Sequence, residues 1–149
     1  MQLRARRHRP AGAAAALVLF LGVLGVGPAR AGTVVAFRTP SGNIGCVYSS
    51  GLGSKPNLRC DIRSRLKPRP RKPTGCTLDW GDSYELGVAG RATVTCHGDT
   101  AILPSARVFR YGKRRSFHGI VCRSRRVGLR CRNRSGHGFF LSRQHSYRF

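Results

Sequence analysis

Six cysteines, Cys46, Cys60, Cys76, Cys96, Cys122 and Cys131, restrict this chain more than any other feature. Two of the intervals they bound share a local grammar. GNIGCVYSSGLGSKPNLRCDI (42–62) and HGIVCRSRRVGLRCRN (118–133) both place Gly ahead of the first Cys and end in Leu-Arg-Cys. Phe37-Arg38 precedes the first and Phe109-Arg110 the second. Each reads as a β-hairpin stapled by its own disulfide. Six cysteines allow 15 pairings; the sequential one, 46–60, 76–96 and 122–131, is expected, because directly opposed residues of an antiparallel pair approach closely enough for a bridge. Each closed loop is short, so each bridge should contribute about 3 kcal/mol by restricting the unfolded chain. No Cys-x-x-Cys pair is present, which argues against a zinc site.

Disulfides need an oxidising compartment, and the N-terminus supplies a route to one. Arg4, Arg6, Arg7 and Arg9 precede an apolar run over 11–27, and Ala29-Arg30-Ala31 has the small-x-small form of a cleavage site. Residues 1–31 read as a secretory signal peptide, the run being short for a membrane anchor. Residues 32–149 then form one disulfide-stapled β domain, secreted or associated with the cell wall.

Within it, Ile44, Cys46 and Tyr48 alternate with Gly45 and Val47, and Leu58, Cys60 and Ile62 alternate with Arg59 and Asp61. Period two is the strand signal. Residues 49–57 are a Ser/Gly-rich loop. Residues 66–75, LKPRPRKPTG, hold Pro68, Pro70 and Pro73, which exclude helix and central strand and favour a polyproline-II connector. Tyr84, Leu86 and Val88 face Ala92, Val94 and Cys96 across an Ala89-Gly90 turn, with Trp80 expected as a core plug over the Cys76–Cys96 bridge. Residues 116–123 read as one run that turns back through Leu129, Gly128 being suited to positive φ at that turn. Phe139-Phe140-Leu141 opens a last element. No segment of the domain has a helical period. The expectation is an all-β protein, a small antiparallel meander forming an open barrel or a two-layer sandwich with three hairpin disulfides.

The charge indicates partners. Five of the 28 Lys and Arg precede residue 32, leaving 23 against five acids, a formal charge of +18. Lys113, Arg114, Arg115, Arg123, Arg125, Arg126, Arg130, Arg132 and Arg134 fall within 22 residues, and no acid occurs from Ala101 to Phe149. On a strand, Arg130, Arg132 and Arg134 would point away from the Cys131 face. Such a stripe attracts polyanions in a salt-sensitive way: anionic polymers or lipid headgroups of the cell envelope, or extracellular nucleic acid without sequence preference. No helix-turn-helix, zinc finger or RNP-type signature supports sequence-specific recognition, and aromatics are not interleaved through the basic strand. The leading expectation is therefore a non-enzymatic polyanion binder. One alternative is a small ribonuclease-like hydrolase using His97 and His137; another is a partner-binding or inhibitor module presenting the 49–57 loop. A Ser142–His137–Asp99 triad can be drawn, but no G-x-S-x-G elbow accompanies it. No metal or other cofactor is expected. Asn133-Arg134-Ser135 matches a glycosylation acceptor.

Several motifs together, FRTPSGNIGC (37–46), LRCDI (58–62), CHGDT (96–100), Tyr111-Gly112 and GHGFFLSR (136–143), resemble a family of small secreted actinobacterial proteins known chiefly as a domain of unknown function. The resemblance implies an exported domain from a high-GC bacterium. It brings no activity and no catalytic residues.

Overall fold

The computed structural model describes residues 32–51 and 53–149; the signal peptide assigned to 1–31 lies outside them. The described residues form eleven strands and no helix: β1 (Thr33–Arg38), β2 (Ile44–Ser50), β3 (Asn57–Ile62), β4 (Ser83–Gly87), β5 (Thr93–Val94), β6 (Arg107–Val108), β7 (Arg114–Phe117), β8 (Ile120–Arg125), β9 (Gly128–Arg132), β10 (Gly138–Leu141) and β11 (Ser146–Arg148). They make two sheets, ordered β5-β4-β3-β2-β1-β6 and β11-β10-β9-β8-β7, neither closed into a barrel. Both are meanders of antiparallel neighbours except at β6, which crosses back to run parallel to β1.

The alternation that marks these strands also builds the core. Inward residues of both sheets belong to one buried cluster, including Phe37, Tyr48, Leu58 and Leu86 from the first sheet and Ile120, Leu129, Phe139 and Leu141 from the second. Aromatic pairs bridge the layers: Phe117 stacks on Phe37 at 5.2 Å and on Tyr48 at 5.5 Å, and Tyr84 meets Phe139 at 5.6 Å. Of the two architectures expected, the two-layer arrangement is the one formed.

All three sequential disulfides are present. Cys46 lies opposite Cys60 across β2–β3, and Cys122 opposite Cys131 across β8–β9, with Cα atoms 4.1 Å apart in each case. That spacing belongs to the closer, non-hydrogen-bonded type of opposed pair. Each sheet thus contributes one covalent staple to the common core. The third bridge differs, because Cys76 and Cys96 lie outside the strands and join the segment before β4 to the segment after β5.

Four expectations about the chain path are corrected. The Phe-Arg repeat is not a structural equivalence: Phe37 lies opposite Cys46, but the residue opposite Cys122 is Arg115, while Phe109 follows β6 and packs edge-on against Phe37. Residues 116–123 are two strands rather than one. His118 and Gly119 both take positive φ, as a two-residue turn between twisted strands requires, and they fold β7 back on β8. Trp80 is only partly buried and outside the core. Its indole N–H lies within hydrogen-bonding distance of the carbonyls of Pro70 and Arg71, so it braces the proline-rich segment instead. The last element is a hairpin, β10–β11, whose turn is closed by Ser142: its hydroxyl oxygen accepts from the amides of Gln144 and His145, and the hydroxyl donates to the His145 carbonyl.

Candidate functional site

All five acids, Asp61, Asp79, Asp82, Glu85 and Asp99, belong to the first sheet and its loops. Among the described residues, every ion pair uses Asp61, Asp82 or Asp99, with Arg59, Arg65 or His97 as partner. All of these belong to the first sheet and its loops. Arg59 donates through Nε and Nη2 to Asp61, both at 2.9 Å, and through Nη1 to Asp99 at 2.6 Å. The hydrogen bond and charge of Arg59 hold the exposed Asp99 carboxyl below its ordinary pKa.

The second sheet carries no acid, and its outward face collects the arginines. In β8, Ile120, Cys122 and Ser124 are buried while Arg123 and Arg125 are exposed; in β9, Leu129 and Cys131 are buried while Arg130 and Arg132 are exposed. The register then aligns these residues across strands. Arg114 lies opposite Arg123, Arg123 opposite Arg130, Arg130 opposite Phe140, and Phe140 opposite Tyr147. One lateral row crosses all five strands: three arginines, then two aromatics. Arg125 and Arg132 flank it two residues away along their strands, a step of about 7 Å.

Like charges directly opposite one another in a sheet are destabilising. With no Asp or Glu on the sheet, the Arg114–Arg123–Arg130 row carries that cost uncompensated by any acidic side chain. An anion laid over the face would relieve it.

The other sequence-assigned cations are distributed around this row. Lys113 is exposed just before β7, and Arg126 sits in the β8–β9 turn with its guanidinium 5.7 Å from the Tyr111 ring centre. Arg134 follows β9, its side chain lying against Gly119 of the β7–β8 turn. Arg115 is a correction to the proposed stripe. It shares the inward parity of Cys122, is half-buried, and places its guanidinium 5.2 Å from the Phe117 ring. Beyond the β8–β9 turn, Arg125, Arg126 and Arg143 line a cleft of about 230 Å³ with Asn43 and Tyr111.

The aromatic half of the row was not legible in the basic strand itself, because its rings come from neighbouring strands. Phe140, Tyr147 and His145 form a cluster with ring centres 5.3–6.1 Å apart, and Phe149 lies 6.2 Å from Tyr147. Arg130 joins the two halves, its guanidinium 3.9 Å from the centre of the Phe149 ring. The signal available in sequence was the outward parity of Phe140 and Tyr147; what parity alone could not supply was the order of strands that sets them beside Arg130.

The histidines of the hydrolase alternative do not converge. His97 is buried, with Nδ1 2.6 Å from the Asp99 carbonyl oxygen and Nε2 3.0 Å from Asp82 Oδ1, so neither ring nitrogen is free to take a proton from a substrate. His137 is placed by Asn133, whose Oδ1 accepts from the His137 amide and whose Nδ2 donates to the carbonyls of Gly87 and Gly90. Asp82 immediately precedes β4 and Gly87 ends it, five residues or about 17 Å away along an extended strand. Asp99 is committed to Arg59 and Ser142 to its own turn, so no triad forms with His137. Asn133 is itself buried, its amide spent on two carbonyls, which leaves it unsuited to glycosylation. Ser49 and Asn57, the bounds of the expected loop, are paired strand residues of the β2–β3 hairpin, joined by a bond from Ser49 Oγ to Asn57 Oδ1.

Residues 15–149 match a family of unknown function (DUF6636). No curated protein and no solved structure matches.

Proposed function

The chain belongs to this family of unknown function, which brings it no activity, and we propose from its own surface that it is an exported, non-enzymatic protein that binds anionic polymers through the outward face of the second sheet. The observation that carries the reading is the directly opposed row Arg114–Arg123–Arg130, unaccompanied by any acid on its sheet. Arg125 and Arg132 extend the face and Lys113, Arg126 and Arg134 rim it. The three disulfides suit an oxidising environment, and an exported bacterial chain meets envelope phosphopolymers, anionic headgroups and released nucleic acid there. Export from a high-GC, actinobacterial cell fits the arginine excess and the N-terminal segment.

The test uses the opposite signs that binding and folding should show. Arg123 is flanked by like charges on both sides. Replacing it by threonine, a good strand former, should raise the stability of the free protein by about 0.2–1 kcal/mol. The same change should weaken binding to polyphosphate and reduce the slope of log K against log salt by about one contact. Thermal melts and a salt titration of binding measure the two effects. Affinity for polyphosphate that is indifferent to ionic strength would overturn the reading.

A further inference from the structure

A face made only to hold phosphates needs no aromatic rings, yet this one carries three. Their seats are built into the sheet. Gly128 and Gly138 both occupy outward positions. A Cβ at Gly128 would fall 2.5 Å from Cζ of Phe140, and one at Gly138 would fall 2.7 Å from Cζ of Phe149 and overlap the Cys131 carbonyl oxygen. The two rings are therefore drawn down onto glycine backbone, Phe140 over β9 and Phe149 over β10. Tyr147 stands beside both and is 43 % exposed. Arg123, Arg130 and Arg132 border a groove of about 490 Å³ in which Phe140 and Tyr147 form the other wall.

We infer that this face is a stacking platform for single-stranded nucleic acid: Arg114, Arg123 and Arg130 hold the phosphates, and Phe140 and Tyr147 offer π surface to unpaired bases. The inference rests on the polyanion-binding reading and narrows it. Its chemistry is the combination that single strands require, a cationic track beside aromatic rings, and it is tolerant of sequence because every base has a π face. A duplex hides its base faces in its own stack and gives such a platform only phosphates. Envelope phosphopolymers offer charge without planar rings. Exposed arginine guanidinium groups can add cation–π contacts to the same bases.

The experiment compares binding of the disulfide-intact protein, residues 32–149, to four probes of matched charge at one ionic strength: a deoxythymidine oligonucleotide, the same backbone without bases, a duplex, and a sulfated polysaccharide. Stacking by one base corresponds to roughly 5–150-fold in affinity, so the thymidine strand should bind at least about fivefold tighter than its abasic counterpart. Tyr147→Ala, at an exposed position on the last strand, and Phe140→Leu should each erase most of that preference while leaving abasic binding unchanged. Circular dichroism and melting of each variant confirm that it is folded. Equal binding of thymidine and abasic strands overturns the platform but leaves the polyanion reading intact. Tightest binding of the duplex or the polysaccharide overturns it in the same way. Failure to bind any of the four overturns both.

Discussion

Replacing Asp61 by alanine is expected to remove about 3–5 kcal/mol of stability, a large share of the roughly 5–15 kcal/mol that a domain has. Asp61 is buried and accepts three hydrogen bonds: two from Arg59 and one, at 2.7 Å, from the Ala101 amide. It therefore fastens β3 to the segment that crosses from β5 toward β6. That segment is tightly seated, since a Cβ on Gly45 in β2 would fall 2.5 Å from Ile102 Cα. Alanine would leave the Ala101 N–H without its acceptor and the largely buried Arg59 with only the exposed Asp99 for a partner. A charge left half-compensated in the protein interior is what makes breaking such a pair expensive. Asp61→Asn keeps an acceptor and should lose less. Chemical denaturation followed by circular dichroism measures both, and a loss below about 1 kcal/mol for alanine would show that the network is not a principal tie of the first sheet.

The second large effect concerns the Cys122–Cys131 bridge. The next opposed pair along the ladder is Arg123 and Arg130. Covalent attachment on the inward face thus stands beside electrostatic repulsion on the outward face. Loop entropy alone predicts a loss of about 3 kcal/mol when both cysteines become alanine. The facing arginines should add to it, and that added part alone should shrink as salt screens them. The paired comparison is Cys46→Ala with Cys60→Ala, where the neighbouring opposed residues are Val47 and Arg59, and Arg59 is neutralised by acids. Denaturant midpoints for the two double variants at low and high salt should show the larger salt response in the β8–β9 variant. Identical responses would mean that the arginine row exerts no appreciable strain on the hairpin.

Much of this architecture was open to reading from residue order. Alternation at Leu58–Cys60–Ile62 and Leu129–Cys131 identifies the inward faces, and because Cys shares that parity the Cys46–Cys60 and Cys122–Cys131 bridges follow from it; Cys76–Cys96, outside the strands, follows only from the sequential order of pairing. Residue order is less informative where geometry depends on a single backbone conformation. His118-Gly119 reads as the interior of a run over 116–123, but its paired positive φ values make a turn, since His can enter the left-handed region beside a glycine. Trp80 was misplaced because large apolar area argues for the core, whereas its indole N–H needed an acceptor and found two in the proline-rich segment. Arg115 was grouped with its neighbours by proximity in sequence, although strand parity sends alternate residues to opposite faces. The candidate face was half visible for the same reason: charge density is a property of one segment, but the aromatics beside it arrive from β10 and β11, which only the strand order brings alongside.

The arginine row has a consequence for how copies of the protein meet. β7 ends the second sheet with one side of its backbone unpaired, and an open strand of this kind is a template for joining another molecule. Its sequence, RRSF, begins with two cations, so two copies approaching at this edge would bring two acid-free, arginine-rich sheets together. A bound polyanion would lift that barrier, and the protein's solubility would then depend on the ratio of polymer to protein as well as on its own fold.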